Sequence, residues 1–297
     1  MSVVLESRAL SKRYGRRQAL TDCTLSIPAG RVAGLVGPNG AGKTTLLHLA
    51  VGLLAPTSGT IEVLGAPPPA SPEQLARVGF VAQDTPTYAG LTVADHLKLG
   101  ARMNPGWDAG LAQRRIASVA LDPSQRAGKL SGGQRAQLAL TLAIAKRPEY
   151  LILDEPVASL DPLARREFLQ GLMEATAEHE VSVLISSHLV ADLERVCDYL
   201  IVLTESRVQL TGDVDDLLAS HRLLTGPRCD MAALPAEWHV ISASHTDRQS
   251  TLLISTADPV SDTTWTVDQV SMEDLVLAYM SKAASTPGRN RTLEVQR

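Results

Sequence analysis

The sequence predicts an α/β fold built on a mainly parallel sheet, and three observations predict it. Short apolar runs, such as Tyr150–Leu153 and the β-branched Val181–Ile185, alternate with longer helical patterns, as strands covered on both faces do. A Gly-rich turn, residues 37–42, leaves one apolar run and opens a helical one. Polar and acidic residues follow directly on other strand runs, at Asp154-Glu155 and Ser187-His188.

Taken in order, Val3–Leu5, Ala19–Ile27 and Arg31–Val36 read as strands. A helix is expected from Lys43 to Leu54, stopped by Pro56, Ser58 and Gly59. Thr60–Leu64 and Val78–Val81 read as further strands. From Thr92 the pattern becomes helical, with Thr92 and Asp95 spaced as a capping box. Asn104-Pro105-Gly106 breaks the run, a second helix covers Asp108–Val119, and a third runs from Gly132 to Ala145. Strand Tyr150–Leu153, helix Leu163–Glu178, strand Val181–Ile185, helix Leu189–Val196 and strand Tyr199–Leu203 follow. Beyond Ala219 the pattern changes to that of a small antiparallel unit, with strands Trp238–Ile241 and Thr251–Ile254 and a last helix, Leu275–Met280, capped by Ser271 and Asp274. The expected organisation is one domain over residues 1–220, a small accessory domain over 221–282, and a disordered tail over 283–297.

Composition narrows the function. The chain has 297 residues, 44% hydrophobic and 20% charged, the balance of a globular protein with a core large enough to need no staples. A net charge of −4 with no basic block argues against nucleic acid as a partner. Cys23, Cys197 and Cys229 lack metal-ligand spacing and suit reduced thiols. Residues Met1–Arg8 show no signal pattern, and no apolar run approaches the roughly 18 residues of a spanning helix.

Gly37-Pro38-Asn39-Gly40-Ala41-Gly42-Lys43-Thr44 matches the GxxxxGK[ST] phosphate loop, between a strand and a helix as the mechanism requires. Its backbone N–H groups and the helix N-terminus attract anions. Lys43 offers a charge to the outer phosphates, and the Thr44 hydroxyl is placed for Mg²⁺, with Thr45 next to it. Asp154 and Glu155 end a strand on the edge where parallel sheets bind ligands. Asp154 is the expected Mg²⁺ ligand and Glu155 the group that polarises an attacking water. His188 falls on the same edge. Leu130-Ser131-Gly132-Gly133-Gln134 is a second Gly-rich helix start with Ser131 as cap, which a single complete phosphate loop leaves unexplained.

With this last motif the sequence resembles the ATPase subunits of ABC transporters, whose LSGGQ signature stands here unaltered. The resemblance covers residues 1–220. It implies a P-loop NTPase core with an N-terminal antiparallel β subdomain, an α-helical subdomain over about residues 84–147, and here a small C-terminal α+β appendix. It also implies that Tyr14 stacks on adenine, that Gln83 is the Q-loop glutamine near Mg²⁺, that Asp161 belongs to the D-loop, and that His188 is the switch histidine. Glu155, His188 and Gln83 are then the catalytic group. Two such domains, identical or not, would hold two ATP molecules between the phosphate loop of one and Ser131–Gln134 of the other. A transmembrane permease would supply the channel, its helix received in a groove that Tyr88 and Trp107 are candidates to line. The chain would sit on the cytoplasmic face of the cell membrane. Ser271-Met272-Glu273-Asp274-Leu275 resembles the ending of bacterial ABC-2-type exporter ATPases, which points to export. The rival expectation is an ABC-type ATPase switch acting on a non-membrane complex. A regulatory protein that binds ATP without hydrolysing it is opposed by Glu155 and His188.

Overall fold

Strand β3 (Val32–Val36) is buried at all five residues, as the central strand of a sheet covered on both faces must be. It pairs in parallel with β7 (Ser182–Ser187) on one side and β8 (Tyr199–Thr204) on the other. Beyond β7 lie β6 (Tyr150–Leu153) and β5 (Val78–Val81), also parallel, and beyond β8 the antiparallel β9 (Arg207–Asp213). The order is β5-β6-β7-β3-β8-β9. A computed structural model describes residues 2–230, 234–256, 259–260 and 262–285 of the chain. It forms two compact units, Met1–Asp216 and Leu217–Arg297.

A second sheet in the first unit has the order β2-β1-β4, all antiparallel, from β1 (Val3–Tyr14), β2 (Arg17–Pro28) and β4 (Ser58–Val63). Strand β1 is far longer than the expected Val3–Leu5. Register shifts between Ser7 and Lys12, with Ala9 at a φ of +46°, place buried residues side by side and erase the period-2 signal. Helix α1 (Lys43–Ala50) lays Leu46, Leu47 and Leu49 into the main core, fully buried, about 2 kcal/mol of apolar burial each. It stops earlier than Leu54 because Gly52 turns left-handed and the Leu53 and Leu54 N–H groups both return to the His48 carbonyl.

Between the sheets' strands run α2 (Pro72–Arg77), α3 (Val93–Met103), α4 (Ala109–Ser118) and α5 (Gly132–Ala145). Helix α2 escaped the sequence reading, although Ser71 caps it and Pro72 opens it. The Thr92–Asp95 capping box forms as expected. Val93, Ile116, Leu121, Leu130 and Leu138 give the helical part a small core of its own. Helix α6 (Pro162–His179) follows β6, and α7 (Val190–Leu193) follows β7. The latter is shorter than Leu189–Val196, because Val196 and Cys197 both donate to the Leu193 carbonyl and close it.

Helix α8 (Val214–Ala219) leads into the second unit, a four-stranded antiparallel sheet of order β11-β12-β10-β13. Its strands are β10 (His221–Pro227), β11 (His239–His245), β12 (Gln249–Ser255) and β13 (Thr266–Asp268), and α9 (Met272–Ser285) ends the described chain. Strands β9, β10 and β13 were not expected. Each has only intermediate or exposed residues through most of its length, so no apolar alternation marks it. Leu224, Leu252, Ile254 and Trp265 form the core, with Trp238 edge-on to Trp265 at 6.1 Å. Ser271 caps α9 through the Asp274 N–H, and the helix runs through the expected start of the tail to Ser285. Residues 286–297 of that expected tail lie outside the described residues.

Candidate functional site

Because β3, β6 and β7 are parallel neighbours, their carboxyl ends deliver Gly37–Thr44, Asp154-Glu155 and His188 to one edge of the sheet. Gly42 makes the loop turn into α1. It sits at a φ of +111°, and a Cβ there would stand 2.4 Å from the Ala19 carbonyl oxygen. The Lys43 ammonium curls back over the loop, donating to the Gly37 carbonyl at 2.7 Å.

The two carboxylates are held differently. Asp154 is buried, and its Oδ1 accepts from the Ser186 hydroxyl at 2.8 Å. The same Ser186 oxygen accepts from the Glu155 N–H at 2.8 Å. Glu155 has a φ of +43°, a conformation that costs a non-glycine residue about 1–2 kcal/mol and turns its carboxylate away from the strand direction. Its Oε1 lies 3.1 Å from Lys43 Nζ, and its Oε2 2.9 Å from His188 Nδ1. A carboxylate only accepts, so Nδ1 carries the proton. Burial drives the Glu155 carboxyl up, but the hydrogen bonds and charges of Lys43 and His188 outweigh it and leave it below its ordinary value. Ser186 was not singled out from the sequence. Its position in the run Ser186-Ser187-His188, where an apolar strand turns polar, was the available signal.

Thr44 and Thr45 are half-buried in the first turn of α1, and Gln83 is exposed just past β5. The Asp154 N–H bonds the Val81 carbonyl, so β5 and β6 deliver Gln83 and Asp154 to the same edge. No hydrogen bond joins Gln83 to Glu155 or Asp154 among the described residues. Tyr14 ends β1 with its ring 46% exposed and Lys12 Nζ 5.3 Å from the ring centroid.

Ser131 caps α5 in a capping box. Its hydroxyl accepts from the Gln134 N–H at 3.2 Å, and the Gln134 side chain accepts from the Ser131 N–H at 2.9 Å. Gly133 lies against α6, where an added Cβ would be 2.9 Å from that of Ala164. Asp161 caps α6, its Oδ1 accepting from the Leu163 and Ala164 N–H groups at 3.0 Å each. Among the described residues, no hydrogen bond or ion pair links Ser131–Gln134 to Gly37–Thr45.

A cleft of about 590 Å³ lies beside Gln83, lined among others by Leu53, Phe80, Ala82, Pro86, Asn104 and Leu142. Neither Tyr88 nor Trp107 is among its lining residues. Trp107 packs its ring on Gly100, where a Cβ would come within 2.5 Å of it, and Tyr88 tilts against His96. No helix among the described residues is long and apolar enough to cross a membrane.

The ABC transporter family matches residues 20–158. The Nod factor export ATP-binding protein I of Cupriavidus pinatubonensis is 33% identical over 227 residues, covering 74% of this chain and 69% of that protein. The thiamine import ATP-binding protein ThiQ of Salmonella choleraesuis is 34% identical over 203 residues, covering 66% and 86%. A solved ATP-binding subunit of an ABC transporter superposes with a TM-score of 0.65 at 30% identity, over 73% of this chain and 92% of that one. With a phosphate loop, a carboxylate pair beside it and an unaltered signature on the matching fold, the chain belongs to the ABC transporter family, as an ATP-binding subunit that hydrolyses ATP.

Proposed function

We propose that this chain drives export through a separate membrane polypeptide, by pairing head to tail with a second ATPase domain across two ATP molecules. The observation that carries this reading is the split between its two anion-binding helix starts. At the α1 start Lys43 pairs with Glu155, which also meets His188, whereas among the described residues the α5 start at Ser131 has no hydrogen bond or ion pair to the phosphate loop. A second copy supplies the missing half of each site by a two-fold, isologous interface. In that arrangement Tyr14 stacks on the base, residues 37–45 wrap the phosphates, and Ser131–Gln134 and Asp161 of the facing domain close over them.

The Thr44 hydroxyl, the Asp154 carboxylate and the Gln83 amide form an all-oxygen donor set that fits Mg²⁺. Bound there with the phosphates, Mg²⁺ neutralises charge that develops during hydrolysis. Glu155 orients and deprotonates the attacking water, His188 holds Glu155 through Nδ1, and Ser186 fixes both carboxylates from behind. Hydrolysis then releases the pair.

The cleft beside Gln83 suits an apolar helix of the membrane subunit, and a chain seated there works peripherally on the cytoplasmic face of the membrane. Because an import protein and an export protein match at nearly the same identity, the Ser271–Leu275 ending is what supports export as the direction. The test is the size of the Glu155→Gln protein in solution. With ATP and Mg²⁺ it should run as a dimer and without nucleotide as a monomer. A monomer under both conditions would overturn the sandwich.

A further inference from the structure

The β1–β2 hairpin ends in Tyr14 and Arg17 on either side of the turn at Gly15 and Arg16. Tyr14 and Arg17 are direct partners across the hairpin, so their side chains leave the same face of it. The Arg17 guanidinium reaches the crest of the phosphate loop. Its Nη2 lies 3.5 Å from the place where a Cβ on Gly40 would be, and nothing else comes within 4 Å of that place. Gly40 is itself exposed, at a φ of +81°.

Some cations of these strands and of the loop are engaged, whereas the side chains of Arg13, Arg16 and Arg17 have no hydrogen-bond or ion-pair partner among the described residues. Lys12 donates to the Ala55 carbonyl, Lys43 is paired with Glu155, Arg8 with Glu6, and Arg207 with Asp22. Arg17 makes no hydrogen bond or ion pair among the described residues. An arginine fork held over a loop whose backbone N–H groups collect anions is matched to a phosphate oxygen. Arg16, next to it, is also exposed but belongs to the two-residue turn between β1 and β2, and it is not among the atoms that meet the Gly40 position.

Resting on the ATP-site assignment above, we infer that Arg17 is a nucleotide-binding residue that donates from its guanidinium to the phosphate chain of ATP. The turn then grips the nucleotide at both ends, Tyr14 at the base and Arg17 at the phosphates. Because Arg17 lies outside the sheet-edge cluster, it holds the nucleotide without taking part in hydrolysis.

The experiment is calorimetric titration of the full chain with ADP and with adenosine, which need no hydrolysis to be read. Arg17→Ala should weaken ADP binding about fivefold to tenfold and make it less salt-dependent, as loss of one exposed charge-assisted hydrogen bond does. Adenosine affinity should not move, Arg17→Lys should recover part of the loss, and Arg16→Ala should match wild type. Unchanged ADP affinity in Arg17→Ala overturns the inference. An equal loss for adenosine also overturns it, since the residue would then only brace Tyr14. An equal loss in Arg16→Ala reduces the effect to general charge and overturns it too. Failure of the wild-type chain to bind ADP would instead sink the site assignment itself.

Discussion

The ion pair between Lys43 and Glu155 predicts that removing the Glu155 charge tightens nucleotide binding even where no hydrolysis can occur. The two charges stand 3.1 Å apart, with side chains only 5% and 9% exposed. At an effective dielectric of about 20 such a pair is worth about 5 kcal/mol in gross Coulomb energy. A β-phosphate that takes over the ammonium returns most of this. What is not returned is the repulsion between two anions sharing one cation, and the cost of leaving Glu155 with His188 as its remaining partner. A net penalty of about 1–2 kcal/mol remains, equivalent to about 5- to 30-fold in affinity.

Glu155→Gln should therefore bind ADP about 5- to 30-fold more tightly than wild type. ADP is the right probe because it has no γ-phosphoryl group, so the gain cannot come from a trapped intermediate. Calorimetry at low and high salt reads the effect, and the ratio should hold at both because a buried pair is little screened. His188→Ala keeps the Glu155 charge and should give a smaller change. If Glu155→Gln binds ADP within about twofold of wild type, or less tightly, the ion pair does not oppose the nucleotide and the reasoning fails.

The same contact sets a pH dependence. Glu155 is held below its ordinary value of 4.5, so its stabilising contribution is complete above pH 4.5 and is lost as pH falls through the lower folded value. The difference in melting temperature between wild type and Glu155→Gln should shrink on acidification below pH 4.5; a difference that grows there would reverse the sign. Tyr150 is fully buried with its hydroxyl unpartnered among the described residues. Tyr150→Phe should stabilise the chain by about 1 kcal/mol, about 2–4 °C in melting temperature, and a loss of that size would show that the hydroxyl has a partner. A 1–220 fragment should fold and bind ADP, since the first unit ends at Asp216; a fragment unfolded by circular dichroism would disprove the proposed boundary.

What the sequence displayed was chemistry whose geometry is local. A phosphate loop needs glycines at fixed offsets between a strand and a helix, so Gly37–Thr44 carried its structure on its face. Asp154, Glu155 and His188 could be placed on one edge because each directly follows an apolar strand run. The linkage among them was hidden. Ser186 bridges Asp154 and Glu155 only because β6 and β7 are adjacent and Glu155 adopts a left-handed backbone, and neither fact has a local signature. For Trp107 the sequence left lining a groove and packing within the helical part both open, and the close pass of its ring to Gly100 favours packing. Strand β1 was cut short because its bulges break the alternation on which the reading relied.

The signature motif can be argued one step further than its letters allow. A helix start leaves its first N–H groups without partners. In α5 the capping box satisfies the Ser131 and Gln134 N–H groups within the motif. That leaves the Gly132 and Gly133 N–H groups, which have no hydrogen-bond acceptor among the described residues. Gly133 is also pressed on Ala164 one turn past the Asp161 cap, so the two segments form one rigid corner. Such a corner can read an anion presented from outside without rearranging, at no cost in ordering. The phosphate loop, by contrast, must first exchange Glu155 for phosphate at Lys43. In the proposed sandwich the phosphate loop, which alone offers the Lys43 charge and a cradle of N–H groups, would hold the nucleotide first, and the preformed corner of the facing domain would close on it without a further ordering cost, which would make ATP the agent of pairing.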